Sequence, residues 1–387
     1  MLGLDLKGAD PSPDEISAEP WPQGIFGLKP QSSKGEKMTI SGEKNWFLVI
    51  SALLLTACSA PEEETAAAPE APLAGGMGMG APQYGMENLS GNLYQAGVRS
   101  GGGGHNTVVL LTSEGAILGD PINAGFSEWL RTELAGNYDT EVRYVLYSHH
   151  HPDHASGGAV FEDTATFVGH VSMVSALEQL PSNSQPMDAN GNGTIERDEA
   201  QGGFANGFDR DDTNQDNVLT AAEINQHTRG PDITFTDRLT ITLGDGTVEM
   251  HHPPPAHSDD IAVLLFPDYD VVFSVDFLQV NRLPGGLTGF LAGYSVDEYE
   301  TAIGAVQALD FDTLVQGHSD ILGSRSDVED FLALLLTLES DVAAAIAAGS
   351  TLEETLESVM LEEYTDWLLY ETRRPQLVSN MYEFLTQ

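Results

Sequence analysis

The stretch Tyr147-Ser148-His149-His150-His151-Pro152-Asp153-His154 constrains the chain more than any other. It reads H-x-H-x-D-H, with His149, His151, Asp153 and His154 as the fixed letters. The run before it, Arg143-Tyr144-Val145-Leu146-Tyr147, is β-branched, aromatic and apolar, which predicts a buried strand. The run after it, Ala155-Ser156-Gly157-Gly158-Ala159-Val160, is small and helix-compatible. The histidines therefore fall where a strand ends and a helix begins. Such an edge can aim several imidazoles at one point while water keeps access. Neutral imidazole and carboxylate suit a divalent transition metal, zinc most often. Four ligating side chains within six residues are too dense for one tetrahedral ion, which points to two metals side by side.

Three further motifs follow in order. Pro255-Ala256-His257-Ser258-Asp259-Asp260 leads into the apolar run Ile261 to Phe266, Val271 to Val275 ends in Asp276, and Leu314-Val315-Gln316-Gly317 ends in His318. Together with H-x-H-x-D-H this set resembles the signature of the metallo-β-lactamase superfamily over about residues 90–340. Gln316 stands where that family usually has a proline before the last Gly-His. The resemblance implies an α/β fold of the α+β kind: a four-layer αβ/βα sandwich of two mixed sheets, helices outside, with ligands gathered at one edge.

The same resemblance implies roles. His149, His151 and His257 would hold one metal, Asp153, His154 and His318 the other, and Asp276 would bridge. That leaves room for a shared hydroxide. Two metal ions about 3.5 Å apart lower the pKa of such a water and together polarise a carbonyl or phosphoryl oxygen. Asp153 is the expected catalytic residue, holding the hydroxide's proton and orienting it. No serine or cysteine nucleophile is needed. The divalent ions expected are zinc, with iron or manganese as alternatives.

Asp120 ends the expected hairpin of Thr107–Thr112 and Ala116–Asp120 and matches the family's aspartate beneath the metals. Its expected role is to hydrogen-bond a ligand rather than to ligate. His105, after Gly101 to Gly104, could border the site but reads better as a solvated loop histidine, and His170, at a strand end, as no ligand. One of His251 and His252 could line the pocket, but at a strand end they read as structural or solvated. Helices are expected over 126–134, 295–309, 326–348 and much of 352–385.

The pattern breaks at 180–228, where an EF-hand-like calcium-binding insertion is expected. Asp188, Asn190, Asn192, Thr194, Glu196 and Glu199 take the ligand positions of one loop, with Gly193 at its sharp turn. Asp212, Asn214, Asp216, Val218, Thr220 and Glu223 take those of a second, in which Asn217 replaces the glycine. Asparagine tolerates the left-handed conformation best after glycine. Ile195 and Leu219 occupy the same loop position and could pair. Pro181 and Pro186 break any long entering helix, so the expectation is a compact calcium site and not a sensor of the calmodulin kind.

Formal net charge is −43, from 59 acidic against 16 basic residues, so the chain should repel nucleic acid and anionic membrane surfaces. That counts against nuclease branches of the superfamily. A salt-adapted surface is the simpler reading of the acidity. The length of 387 residues allows one large domain with extras, and 41% apolar residues suffice for a core.

Residues 1–37 are rich in Pro, Gly and charge without periodicity and read as an extension before a start at Met38. The run Trp46 to Leu55 has the length of a signal-peptide core, too short to span a bilayer. It ends in Leu55-Thr56-Ala57-Cys58, which resembles a bacterial lipobox. The expectation is a signal over 38–58, lipid on Cys58, and a tether over 59–90. The folded domain would span 91–345, with 346–387 a helical tail packed on it. Ser59 is unlike an inner-membrane retention signal, which places the anchor in the outer membrane, facing the periplasm.

These readings predict a periplasmic lipoprotein hydrolase that attacks an ester, thioester, lactone or amide of a small molecule. The membrane is met only through the lipid, and nucleic acid is not a partner. Two alternatives are an iron-containing redox enzyme on the same ligands and a calcium-stabilised binding lipoprotein with a non-catalytic site.

Overall fold

The computed structural model describes residues 83–99, 104–181, 184, 187–291 and 293–386. The extension, the expected signal with Cys58 and the tether as far as residue 82 lie outside the described residues.

The first sheet opens with β1 (Gln83–Ser90), β2 (Leu93–Arg99), β3 (His105–Thr112) and β4 (Gly115–Leu118), each antiparallel to the next. β5 (Val142–Leu146) and β6 (Thr166–His170) continue it in parallel. Folded structure thus begins eight residues before the expected domain start at 91, and β1 corrects the tether expected to reach residue 90. The strand escapes the sequence pattern because it is an edge strand with mostly exposed side chains and no apolar alternation. Gly91, at φ +53, makes the turn that folds β1 back on β2. Tyr84 fastens it, packing edge-on against Phe126 at 6.0 Å and beside Trp129 at 5.6 Å.

Helix α1 (Ala124–Asn137) starts where the Asn123 side chain accepts the Phe126 N–H, a standard N-cap. Its buried residues Phe126, Leu130 and Leu134 fall at i, i+4 and i+8, one stripe. They pack with Val109, Leu118, Val145, Tyr147 and Phe167 of the first sheet. Full burial of such side chains stabilises the layer by about 1.5–3 kcal/mol each. Helix α2 (Pro152–Ala155) follows β5, and α3 (Val171–Ala176) follows β6.

The insertion comes next. β7 (Ile195–Glu196), α4 (Gly202–Asp211), β8 (Val218–Leu219) and α5 (Ala221–Ile224) enclose their own small core of Leu180, Ile195, Phe208, Leu219 and Ile224. β7 and β8 pair with Ile195 opposite Leu219, the pairing expected from loop register. The exit of the insertion is tied to the main domain: the Tyr147 hydroxyl donates to the Arg229 carbonyl at 2.5 Å. β9 (Ile233–Phe235) then returns the chain to the first sheet beside β6.

The second sheet runs β10 (Arg238–Leu243), β11 (Gly246–His251), β12 (Val263–Phe266), β13 (Val271–Ser274), β14 (Thr313–Gln316) and β15 (Ser319–Gly323). Only β13 and β14 pair in parallel, so this sheet is mixed as well. β3 lies against β11, β14 and β15, which sets the sheets face to face. Between β13 and β14 run α6 (Leu287–Leu291) and α7 (Val296–Gln307), and α7 starts with a Ser295–Glu298 capping box. The long α8 (Arg325–Ala347) packs on α7 and β15. Helices α9 (Leu352–Ser358) and α10 (Tyr370–Thr386) close the chain over α8 and α6, burying Leu377, Val378 and Met381. The architecture is the expected αβ/βα sandwich.

Candidate metal centre

The loop after β5 is held from below by Asp120. This fully buried carboxylate accepts the Ser148 N–H at 2.7 Å and the Ser148 hydroxyl at 2.6 Å, and meets His154 Nδ1 at 3.1 Å. The last contact makes Nδ1 the protonated nitrogen of His154 and turns Nε2 toward the centre. Pro152 sits at the first position of α2, where its fixed φ costs nothing. That single turn sets Asp153 and His154 over His151.

His257 (φ 64) and Asp276 (φ 65) both adopt the left-handed region that L-residues avoid. Such strain of about 1–3 kcal/mol persists where the surroundings over-determine a residue, commonly at functional sites. His318 follows Gly317, where an added Cβ would lie 2.8 Å from Val275 and 3.0 Å from the His154 ring. Gln316, in place of the family's proline, accepts the Val280 N–H and donates to the Ile321 carbonyl, each at 2.8 Å. It thereby joins the segment after Asp276 to the turn that carries His318.

Asp276 is the hub. Its Oδ2 lies 3.3 Å from His149 Nε2, 3.1 Å from His154 Nε2 and 3.3 Å from His257 Nε2. Its Oδ1 lies 2.9 Å from His318 Nε2. His151 Nδ1 faces His257 Nε2 at 3.1 Å, and His154 Nε2 faces His318 Nε2 at 3.1 Å. Four side chains, His149, His151, His257 and Asp276, could hold one ion, and His154, Asp276 and His318 a second. Zinc–nitrogen bonds of about 2.0–2.1 Å put tetrahedral donors about 3.3–3.4 Å apart. The spacings seen here, 2.9–3.3 Å, lie at or a little below that edge length. His149 Nε2 is also buried without an aligned hydrogen bond, although buried polar atoms nearly always have one. The donor set therefore fits a pair of divalent ions.

The electrostatics divide the centre. Burial pulls His149 down against the Asp276 carboxylate, and pulls His151 well down with help from His149 and His257. Both shifts favour neutral imidazole, the ligating form. Burial also opposes charge on His154 and His318, but the Asp276 and Asp153 carboxylates outweigh it. They raise His154 well above its ordinary value and push His318 up to about 9. Burial alone would raise Asp276; His154 and His318 hold it well below the carboxylate range instead. Asp153 is likewise held low, by His154, His105 and His318 against its own burial.

The family model of the metallo-beta-lactamase superfamily matches residues 100–318, which takes in every one of these side chains. The chain belongs to the metallo-beta-lactamase superfamily. Among curated proteins it is 25% identical over 232 residues to a linear primary-alkylsulfatase of Pseudomonas sp. (strain ATCC 19151). That match spans 58% of this chain and 43% of the relative, less than half of its length. Among solved structures, a metallo-beta-lactamase from Pontibacter korlensis is 19% identical, with 66% of this chain and 99% of that one covered and a TM-score of 0.47. Metallo-beta-lactamase IND-7 is 16% identical, with 65% and 97% covered and a TM-score of 0.45.

The seven side chains expected from the superfamily pattern come together, and Asp120 stands beneath them. His170 and His252 lie elsewhere, stacked at 3.8 Å, with His170 Nε2 donating to the Thr236 carbonyl at 3.0 Å. His251 faces Glu249 at 3.1 Å. His105 corrects the expectation of a solvated loop residue. It opens β3, and its Nε2 lies 3.5 Å from Asp153 Oδ2 with its ring 4.6 Å from that of His318. His150, the variable letter of the motif, also has a place. Its Nδ1 meets buried Asp260 at 2.9 Å and so clasps the loop that carries His257. The signal for that clasp is the acidic residue three positions after His257.

In the insertion, Asp188 accepts the N–H groups of Asn192 at 3.0 Å and Gly193 at 2.7 Å. Asp212 does the same for Asp216 at 3.1 Å and Asn217 at 3.0 Å. Gly193 (φ 83) and Asn217 (φ 65) are both left-handed, so the loops turn alike. In the first loop Asn190, Asn192, Thr194 and Glu196 are joined by hydrogen bonds, and Glu199 closes it onto the Glu196 N–H at 3.1 Å. In the second, Asn214, Asp216 and Val218 form successive turns, and Glu223 closes onto the Thr220 N–H at 3.1 Å.

Proposed function

We propose that this chain is a metal-dependent hydrolase of small-molecule esters, with a binuclear zinc-type centre on His149, His151, His257, Asp153, His154, His318 and the bridging Asp276. The observation that carries the reading is the Asp276 carboxylate, which four imidazole nitrogens approach within 3.3 Å. Two divalent ions in that nest would supply an activated water and polarise the bond to be cleaved. The chain's own residues do the rest. Asp120 fixes the tautomer of His154, and His150 with Asp260 steadies the His257 loop. Asp153, half-exposed at the mouth, would orient the water and accept its hydrogen bond. The bond cleaved is an ester, thioester, lactone or amide in the general case.

One observation favours a narrower reading, a sulfate or other anionic ester, the bond type that the alkylsulfatase's name indicates for that relative. Arg282 lines the pocket beside Asp276 and His318 and donates to the His318 carbonyl at 3.2 Å. Burial and the charge of Arg282 lower nearby Arg373. Among the described residues neither guanidinium pairs with a carboxylate, which leaves positive charge beside the pocket and suits an anionic substrate group. The test is turnover by the zinc-loaded protein of matched chromogenic carboxylic and sulfate esters. A preference for the sulfate ester that Arg282→Ala abolishes supports the narrower reading; cleavage of neither ester contradicts both. Iron as the native metal, with no hydrolysis, would favour the redox alternative.

The same reading covers the insertion and the N-terminal segment. Calcium occupies the insertion loops as a stabilising ion. Cys58 carries the lipid that anchors the protein in the outer membrane of a bacterium, facing the periplasm. Among the described residues no helix is long and apolar enough to cross a membrane. The Cys58→Ser variant should lose membrane fractionation and the mass of the lipid; equal fractionation of the two proteins contradicts the anchor.

A further inference from the structure

His105 lies outside the ligand set that the superfamily pattern implies, yet it is built into the centre. Three imidazole nitrogens surround Asp153 Oδ2: His318 Nε2 at 3.3 Å, His105 Nε2 at 3.5 Å and His154 Nε2 at 3.6 Å. This repeats, at the outer end, the nest that Asp276 forms at the inner end. The His105 distance exceeds the usual hydrogen-bond range of about 2.7–3.2 Å, but suits two donors that share one ion. The donor atoms of His105, Asp153 and His318 all lie within 4.8 Å of one another.

The position is fixed by backbone, not by chance exposure. The next residue, Asn106, is fully buried. Its N–H donates to the Gly317 carbonyl and its Nδ2 to the Ser319 carbonyl, both at 2.7 Å. β3 therefore grips the chain on both sides of His318 and holds the two rings edge to face. Gly97 leaves the space for this grip, since a Cβ there would lie 2.5 Å from Asn106 Oδ1.

We propose that His105 is an additional ligand of the second ion, in an outer donor set of His105, Asp153 and His318 that shares His318 with the inner set of His154, Asp276 and His318. The outer set of His105, Asp153 and His318 is half-exposed, whereas His154 is fully buried. The ion can thus lean toward the mouth of the site without losing its hold on His318.

The inference rests on the cluster being a metal centre, and the test separates the two ideas. Metal-free full chain is titrated with cobalt(II), followed by calorimetry and by visible absorption, for the parent, His105→Ala and His105→Phe. The phenylalanine keeps a ring against His318 but offers no donor. The expected result is two ions in the parent, and in both variants an unchanged first ion with a second bound about 10–100-fold more weakly. The absorption of the second ion should change in shape in both variants. Parental affinity and spectrum in either variant would overturn the His105 assignment while leaving the metal centre intact. A parent that takes up no cobalt would overturn the centre and the assignment together.

Discussion

The Nε2 atoms of His154 and His318 stand 3.1 Å apart. Two lone pairs cannot face one another at that distance, so without metal the pair carries protons, and the carboxylates of Asp276 and Asp153 keep them there. His318 is pushed up to about 9 and His154 is raised well above the ordinary value. Metal uptake at pH 7 should therefore release protons held by the His154–His318 half. The lowered pair His149 and His151 should release none. For the metal-free protein the sign follows from the raised pKa. The stability from protonated His318 is full below its unfolded value of about 6.5 and is lost as pH rises through about 9. Zinc addition in weak buffer with a pH indicator checks the release, and metal uptake without acidification would contradict it.

Asp120 orients His154 and closes three buried hydrogen-bonding groups. Asp120→Ala should destabilise the protein by about 3 kcal/mol, because each donor left unpaired costs about 1–3 kcal/mol. The second ion should bind about 10–100-fold more weakly and the first should be less affected. Denaturant unfolding with competitive metal titration measures both. Asp120→Asn should fall between parent and alanine variant.

Gly317 is required for close approach, not for an unusual φ. A Cβ there would lie 2.8 Å from Val275 and 3.0 Å from His154. Gly317→Ala should cost about 1–3 kcal/mol through overpacking and should loosen His154 and His318 together. Retained second-ion affinity in a stable Gly317→Ala protein would show that the backbone here has more room than the geometry indicates.

The centre is legible in the sequence because its letters are local. His149, His151, Asp153 and His154 fall in one loop, and His257, Asp276 and His318 each adjoin a strand-like run that the structure buries as β12, β13 or β14. Asp120 is legible for the same reason. His105 is not, since a histidine after four glycines has no periodic signal. The contacts of Asn106 with Gly317 and with Ser319, 213 positions away, place it. β1 is hidden because its stability comes from pairing with β2 and from Tyr84, neither of which leaves an apolar alternation. The pairing of Ile195 with Leu219 is legible because both loops share one ligand register.

The insertion provides an independent check on metal selectivity. Calcium prefers six to eight hard oxygens and the histidine centre borderline nitrogen. Calcium should raise the melting temperature by mass action on the folded state, and a calcium-selective chelator should leave the transition metal in place. The double variant Glu199→Gln/Glu223→Gln removes the residues that close both loops. Calorimetry should show no calcium response in that variant. An identical response in both proteins would mean that these loops are acidic turns that bind nothing.

The central claim is that Asp276 joins two transition-metal ions needed for hydrolysis. Metal content by elemental analysis, after equilibrium dialysis against zinc, tests it most directly when paired with ester turnover on the same samples. The parent should hold about two ions per chain and turn over. His151→Ala should lose metal and nearly all activity, and Asp276→Ala should retain at most one ion. A well-folded parent that holds no transition metal, or an Asp276→Ala protein with both ions and full turnover, would contradict the account.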